Sequence, residues 1–361
     1  MVSCEGLGNG GVQAIMMGIV RNLSSEYHFD MLLFTSEERY YDKEFLSYGG
    51  KIFRIPHYEG KSRIKRKILS LFRDIYIYRQ LNKLLESQKP YDVIHCNKEY
   101  ESAPLLKVAA KRSIPVRICH THIISSKSGF ILCVLNGRRK CIIKNYATHF
   151  FGCSKEACES FYHKSVTFQV VPNFYDDKKY SYSDIEQTKD TIVLAQLGAF
   201  SDNKNQLFSV RVAKCLIEMG KKVSLNLIGF SLDPDYQEKV KRVVKELELE
   251  ECVVFLPGDT DCKRIFKRAN AFLMPSKFEG FGIALIEAQA TGIQCFASDT
   301  IPQTTNCGEV SYMDINGADS ANRWAEAIKD RYYKDGLVHK CYDTNKYKLT
   351  YVMNIYKEIY K

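Results

Sequence analysis

The sequence predicts an α/β protein of two domains, each carrying helices over a parallel sheet, and three observations lead there. The chain has 361 residues, enough for about two domains at roughly 100–200 residues apiece. Its hydrophobic pattern switches between short strand-like runs and helical periods along most of its length, the mark of alternating β and α units. A polar stretch over 172–190, with Pro172 and Asn173 ahead of the run from Asp176 to Asp190, interrupts that pattern as a linker does. Two domains joined there leave a cleft between them. The expected division is 1–175 and 176–344, with a C-terminal helix over 345–361 packing back on the first domain.

Taken in order, the first domain opens on Gly8-Asn9-Gly10-Gly11, which leads into an apolar helical pattern through Val12, Ile15, Met16, Ile19 and Leu23. Only Met1–Cys4 precede that turn, so either the first strand is very short or the sequence begins downstream of a native start, and the second is the expectation. Phe29–Phe34, Val93–His95 and Val116–His120 read as strands, and Ala103–Lys111 as a helix. In the second domain Thr191–Leu197 is a strand, Gln206–Met219 a helix, and Lys222–Ile228 a strand through Val223, Leu225 and Leu227. Tyr236–Leu247 is helical; Cys252–Leu256, Ala271–Met274 and Gln294–Ala297 are strands with helices between.

Composition excludes several classes of function. Hydrophobic residues at 45% and charged residues at 26% rule out disorder for most of the chain. No run of 18 apolar residues reads as a membrane span, and no secretory pattern opens the chain. The 13 cysteines are scattered without a Cys-x-x-Cys pair, which gives zinc or thioredoxin-like chemistry no support. Reduced thiols of a cytoplasmic protein account for them. The net charge of +10 is uneven: residues 1–180 carry +11 and residues 181–361 carry −1. Within the basic half, Lys61–Lys83 holds Lys61, Arg63, Lys65, Arg66, Lys67, Arg73, Arg79 and Lys83, with Leu69, Phe72, Ile75 and Tyr76 interleaved at helical spacing. Such a helix can lie on an anionic leaflet, or it can be a solvated surface helix with its apolar face on the core. Arg138, Arg139, Lys140 and Lys144 form a second basic group that could share that surface. No nucleic-acid-binding signature is present.

The most informative segment runs from Pro275 to Gly292, PSKFEGFGIALIEAQATG. It follows a strand and opens a helix. Gly280 and Gly282 let the backbone pass close to a ligand. The N–H groups of Gly282, Ile283 and Ala284 sit at the helix N-terminus, which favours phosphate. Glu279 lies in the loop and Glu287 further into the helix. Carboxylates do not bind phosphate directly, so this pair suits hydroxyl groups on either side of a diphosphate, as in a nucleotide sugar.

This block, with Phe281 inside it, resembles the Glu-x7-Glu motif of the retaining glycosyltransferases of family 4, which have the GT-B fold of two Rossmann-like domains facing a central cleft. Ser298-Asp299-Thr300-Ile301-Pro302 is similar to the capsular and exopolysaccharide branch of that family. Gly198-Ala199-Phe200-Ser201-Asp202-Asn203-Lys204-Asn205 resembles the family's strand-end turn, where a Lys, and often an Arg after the Gly, bind the donor diphosphate. Lys204 matches the Lys, and Ala199 stands at the Arg position. Gly10-Gly11 resembles the family's amino-terminal loop facing the donor phosphates. His120-Thr121-His122 is similar to its His-x-His segment, whose first His lies near the transferred sugar. The two histidines are expected to point to opposite faces, so that one at most faces the cleft. Val171-Pro172-Asn173 resembles the segment before the interdomain hinge, with Phe174 in place of the usual Gly.

The resemblance implies a metal-independent transferase without a cofactor. It would move a hexosyl-type sugar from a nucleotide sugar, a UDP-sugar by preference, to a lipid-linked or glycan acceptor of surface polysaccharide biosynthesis, at the inner face of the cell membrane. Glu279, His120 and Lys204 are the expected catalytic residues. Gly10, Gly11, Gly198, Gly280, Phe281, Gly282, Ile283, Ala284 and Glu287 are expected, with Lys204, to bind the donor. A nucleotide-sugar epimerase on the same fold and a non-catalytic scaffold of a polysaccharide-assembly complex are the competing expectations.

Overall fold

The structure is a computed structural model that describes every residue except Asn9 and residues 57–62, 124–129, 183–189 and 336–338; of residues 63–71, 130–133 and 335 it describes the backbone alone. The chain forms two compact units, Met1–Phe174 with Leu349–Lys361, and Tyr175–Lys348.

Unit 1 begins with strand β1 (Val2–Cys4), helix α1 (Gly11–Leu23), β2 (Met31–Leu33), α2 (Asp42–Ser47), β3 (Ile52–Arg54), α3 (Arg63–Glu86) and β4 (Val93–Cys96). It continues through α4 (Ser102–Lys111), β5 (Val116–Thr121), α5 (Phe130–Tyr146), β6 (His149–Gly152), α6 (Lys155–Phe161) and β7 (Gln169–Val170). The strands form one parallel sheet in the order β3-β2-β1-β4-β5-β6-β7. Although β1 is three residues long, it lies inside the sheet and is paired on both sides: Val2 N–H donates to the Asp30 carbonyl, and Met1 C=O accepts from His95 N–H, each at 2.9 Å.

Unit 2 runs through β8 (Thr191–Leu197), α7 (Gln206–Glu218), β9 (Lys222–Ile228), α8 (Pro234–Glu246), β10 (Val253–Leu256) and α9 (Cys262–Arg268). Then come β11 (Ala271–Met274), α10 (Ile283–Thr291), β12 (Gln294–Ser298), β13 (Val310–Met313) and α11 (Ser320–Asp335). Its parallel sheet has the order β10-β9-β8-β11-β12-β13. Both sheets are flanked by helices, as an α/β architecture of two layered domains requires. Trp324, the sole tryptophan, is buried in the core of unit 2, and its indole N–H donates to the Asp314 carbonyl at 3.1 Å. The last helix, α12 (Leu349–Tyr360), packs against α1 and buries Val352, Met353, Tyr356 and Tyr360 in unit 1.

Two local readings change. Phe174 is buried, and its ring lies where a side chain on Gly18 of α1 would sit. The bulk at this position is therefore matched by a missing side chain opposite. The second basic group is a cationic surface only in part: Arg138 and Lys144 are exposed, but Arg139 is buried and forms two 2.8 Å hydrogen bonds to Asp74 of α3, while Lys140 donates to the Ser160 carbonyl at 3.4 Å. Burial makes an uncompensated guanidinium costly, so Arg139 holds α5 to α3 instead. Lys61 lies outside the described residues, as do the side chains of Arg63, Lys65, Arg66, Lys67 and Leu69.

Candidate functional site

In each sheet the chain order reverses at one point: between β1 and β4 in unit 1, and between β8 and β11 in unit 2. Loops leaving the carboxyl ends of strands at such a point diverge and open a crevice, where ligands of open α/β sheets bind. The motif residues of unit 2 come from the two loops at that point, residues 198–205 after β8 and 275–282 after β11.

These loops are tied to each other. Asn203 Nδ2 donates to the Phe278 carbonyl at 2.9 Å, and Lys277 N–H to the Asn203 carbonyl at 2.8 Å. Asn205 Nδ2 donates to the Pro275 carbonyl at 3.2 Å, and Lys277 Nζ meets the Asp202 carboxylate at 2.7 Å. Asn205 has φ 56° at the N-cap of α7, a left-handed conformation that asparagine tolerates better than most residues. Gln196 holds the Lys204 carbonyl at 2.7 Å, and the Lys204 stem runs past Gly198, where a side chain would crowd it. Lys204 Nζ is ion-paired with Glu279 Oε1, both side chains being largely buried. The predicted phosphate ligand and the predicted sugar ligand are thus paired with each other.

Helix α10 begins beside this pair. Gly282 caps it at φ +88°, a conformation that glycine adopts without steric cost. The first N–H groups of the helix, among them those of Ile283 and Ala284, have no intrahelical acceptor and form the positive end of its dipole. Phe281 departs from expectation in one respect: its ring is buried edge-on against Tyr347 at 5.7 Å, so the side chain anchors the loop and only its backbone is left for a ligand. Glu287, in the second turn, is half-buried. Burial pushes its carboxyl up to about 7, against a lowering by Lys179 and a further raising by Asp176. A carboxylate so placed gains from any hydroxyl that donates to it.

Sequence reasoning missed three contributors to this site. Lys179 and Asp176 set the charge around Glu287 but stand more than 100 residues away in sequence, with no motif to mark them. Gly229, at the end of β9, was passed over. A Cβ there would overlap the Gly198 carbonyl, so the glycine lets the β8 and β9 strand ends close up beneath the 198–205 loop. Gly229→Ala should destabilise the protein by roughly 1–3 kcal/mol and weaken nucleotide binding with it; calorimetry and UDP titration together check this.

In unit 1, Gly10 and Gly11 are exposed at the start of α1, with Asn9 outside the described residues. The end of β4 presents Lys98 paired with Glu5 at 2.6 Å, and Glu99, which accepts the His122 N–H at 3.1 Å and whose carboxyl is raised by burial. The histidines correct an expectation. Residues i and i+2 of an extended chain share a face rather than opposing each other, and the His120 and His122 rings lie on the same side with centroids 4.1 Å apart, His120 near the end of β5 and His122 just beyond it. Both are buried. His122 is held by Asn97 at 2.9 Å and Asn173 at 3.2 Å. His120 Nδ1 lies 3.2 Å from Nε2 of His95, a residue the sequence reading did not select. Burial lowers His95 to about 3 and His122 to about 4, and takes His120 well below the usual range. All three rings are therefore neutral near pH 7. Among the described residues no group of three or more metal-binding side chains occurs.

With the site laid out, its relatives are informative. Residues 180–310 match the family described as "Glycosyl transferases group 1". The chain is 25% identical to a Bacillus subtilis protein described as putative glycosyltransferase EpsF, over 98% of this chain and 94% of that one. It is 26% identical to an Escherichia coli UDP-Gal:alpha-D-GlcNAc-diphosphoundecaprenol alpha-1,3-galactosyltransferase, over 64% of this chain and 63% of the relative. Among solved structures, Anabaena Alr3699/HepE in complex with UDP superposes with a TM-score of 0.75 at 14% identity, covering 99% of this chain and 98% of that one. The fold and its relatives define a GT-B glycosyltransferase. The chain is related to family 4 and to proteins of polysaccharide pathways.

Proposed function

We propose that the chain is a retaining glycosyltransferase that moves a hexosyl unit from a UDP-sugar to a lipid-linked or glycan acceptor in surface polysaccharide biosynthesis. The observation that carries this is the gathering of Lys204, Glu279, the α10 N-terminus and Glu287 at the β8–β11 reversal of unit 2. The UDP in the Anabaena relative and the UDP-galactose named for the Escherichia coli relative support the choice of nucleotide.

In this reading charge develops on the departing diphosphate, where Lys204 and the Gly282–Ala284 N–H groups stabilise it. Glu279 turns from Lys204 to the donor sugar hydroxyls. Glu287 accepts from the ribose. The Gly10 and Gly11 backbone is assigned to the donor phosphates, and His120 serves the sugar as a neutral hydrogen-bonding group. The acceptor hydroxyl attacks on the face that the leaving group vacates, so the anomeric configuration is kept. The test is to incubate the purified protein with a panel of nucleotide sugars and undecaprenyl-linked acceptors, then read product mass and anomeric coupling. An inverted product overturns the stereochemistry. Interconversion of donor without acceptor would show an epimerase, and binding without turnover a scaffold.

The chain is also proposed to work peripherally on the inner leaflet, since no described helix is long and apolar enough to cross a membrane. Along α3, Ile77 and Leu81 face the core, whereas Phe72 (58% exposed), Ile75 (51%) and Tyr76 (42%) point outward beside exposed Arg79 and Lys83. Phe72, Ile75 and Tyr76 are thus not the helix's core-facing side, which favours the leaflet over the solvated alternative. Anionic vesicles should bind the protein and release it with salt. At about 1 kcal/mol per basic residue, neutralising Lys65, Arg66 and Lys67 should cut co-sedimentation more than tenfold. Unchanged co-sedimentation removes α3 from the interface.

A further inference from the structure

Three buried side chains from distant parts of unit 1 form an end-to-end chain. The Tyr360 hydroxyl, in the last turn of α12, lies 2.8 Å from His95 Nδ1 on β4, and His95 Nε2 lies 3.2 Å from His120 Nδ1 on β5. The two imidazoles are nearly parallel, their planes 5° apart. All three residues are at most 7% exposed.

A neutral imidazole carries one N–H, so the protons along this chain must run in one direction or the other. The phenol decides which. Its ring packs against those of Tyr27, Phe29 and Tyr356, and among the described residues its hydroxyl is hydrogen-bonded to His95. A hydroxyl proton turned away from His95 would be a buried donor without an acceptor, which is unfavourable. Tyr360 therefore donates to His95 Nδ1, His95 Nε2–H donates to His120 Nδ1, and His120 keeps its proton on Nε2. That nitrogen is buried and makes no hydrogen bond of full geometry, and the Val171 backbone beside the ring favours its protonated form. A saturated chain thus ends in one donor without a full hydrogen bond, at the carboxyl end of the strand whose histidine the proposed transfer uses.

We propose that Tyr360 and His95 are positioning residues for His120: they fix it as the Nε2–H tautomer and so hold its N–H ready for an oxygen of the sugar substrates. The proposal rests on the reading of His120 as a site residue. Helix α12 is then part of the reaction machinery without touching substrate.

The test uses full-length protein labelled with ¹⁵N-histidine. Long-range ¹⁵N–¹H correlation of the resting protein should show His120 protonated at Nε2. Tyr360→Phe, which removes one oxygen, should convert His120 to a mixture of tautomers. It should also lower kcat about five- to tenfold, the worth of one hydrogen bond, with donor KM and UDP affinity unchanged. His95→Gln, whose amide can still donate to His120, should retain more turnover than His95→Leu. Nδ1–H in the resting protein, or Tyr360→Phe with His120 resonances unmoved, overturns the chain itself. His120→Ala at full turnover instead overturns the reading of His120 as a site residue, and the two failures are distinguished by the spectra.

Discussion

Glu279→Gln should lower turnover by about 10²–10³ while UDP binds as tightly as before or up to about tenfold tighter. The two halves of this result have separate causes. Lys204 is paired with Glu279. An incoming diphosphate competes with that carboxylate for the same ammonium, so part of the phosphate attraction goes into separating the pair. Glutamine keeps the shape but not the charge, and leaves Lys204 free for phosphate. What it loses is the charged acceptor for the sugar hydroxyls, whose contacts strengthen as positive charge builds at the anomeric carbon. Steady-state kinetics with UDP titration by calorimetry separates the two. A rise in KM with kcat intact, or weaker UDP binding, would remove Glu279 from the sugar side of the reaction.

Glu287→Ala should act on the opposite quantity, weakening UDP by roughly 10–100-fold, the worth of hydroxyl hydrogen bonds to a charged acceptor, at little cost in kcat once the enzyme is saturated. Its pH dependence is a sharper signature. Burial holds the Glu287 carboxyl at about 7, against 4.5 for a free side chain. Ribose hydroxyls donate to the carboxylate, so wild-type affinity for UDP should rise as pH goes from about 6 to 8, with a proton released on binding. Stability runs the other way. A carboxyl raised on folding stabilises fully below its unfolded value and loses that contribution as pH rises through the folded one. Glu287→Gln should therefore raise Tm relative to wild type at pH 8 but not at pH 4.5, and flatten the affinity profile. A wild-type affinity that is flat across this range would contradict the assignment.

What could be read from the sequence depended on how each element is buried. Strands Thr191–Leu197, Lys222–Ile228 and Ala271–Met274 of unit 2 match their sequence reading residue for residue, because they are long or continuously apolar inside a covered sheet. The strands at Ile52–Arg54, His149–Gly152, Gln169–Val170 and Val310–Met313 had no such signal. They are two to four residues long, and Gln169 and Val170 are both exposed at a sheet edge, where the hydrophobic pattern has nothing to select. The same division holds for the candidate site. Residues carried by a contiguous motif, such as Glu279 and Gly282, could be found by reading along the chain. Lys179, Gly229 and His95 act through neighbours brought together only by folding. His120 and His122 were misplaced because residues two apart in an extended chain share a face, so alternation brings their rings together instead of separating them.

The return of α12 to unit 1 also sets an order of events during synthesis. Domains ordinarily fold as units from the amino terminus as the chain emerges. In this protein the unit begun by residue 1 lacks Tyr356 and Tyr360 until nearly the whole chain has left the ribosome, whereas Tyr175–Lys348 already contains its own core. The later-made unit can therefore finish first. The earlier one waits, its α1 surface uncovered and His95 without its phenol, for the last helix to arrive. A nascent chain arrested shortly before Leu349 would hold a completed second unit and an unfinished first one, so chaperone demand should fall on the unit that was translated first.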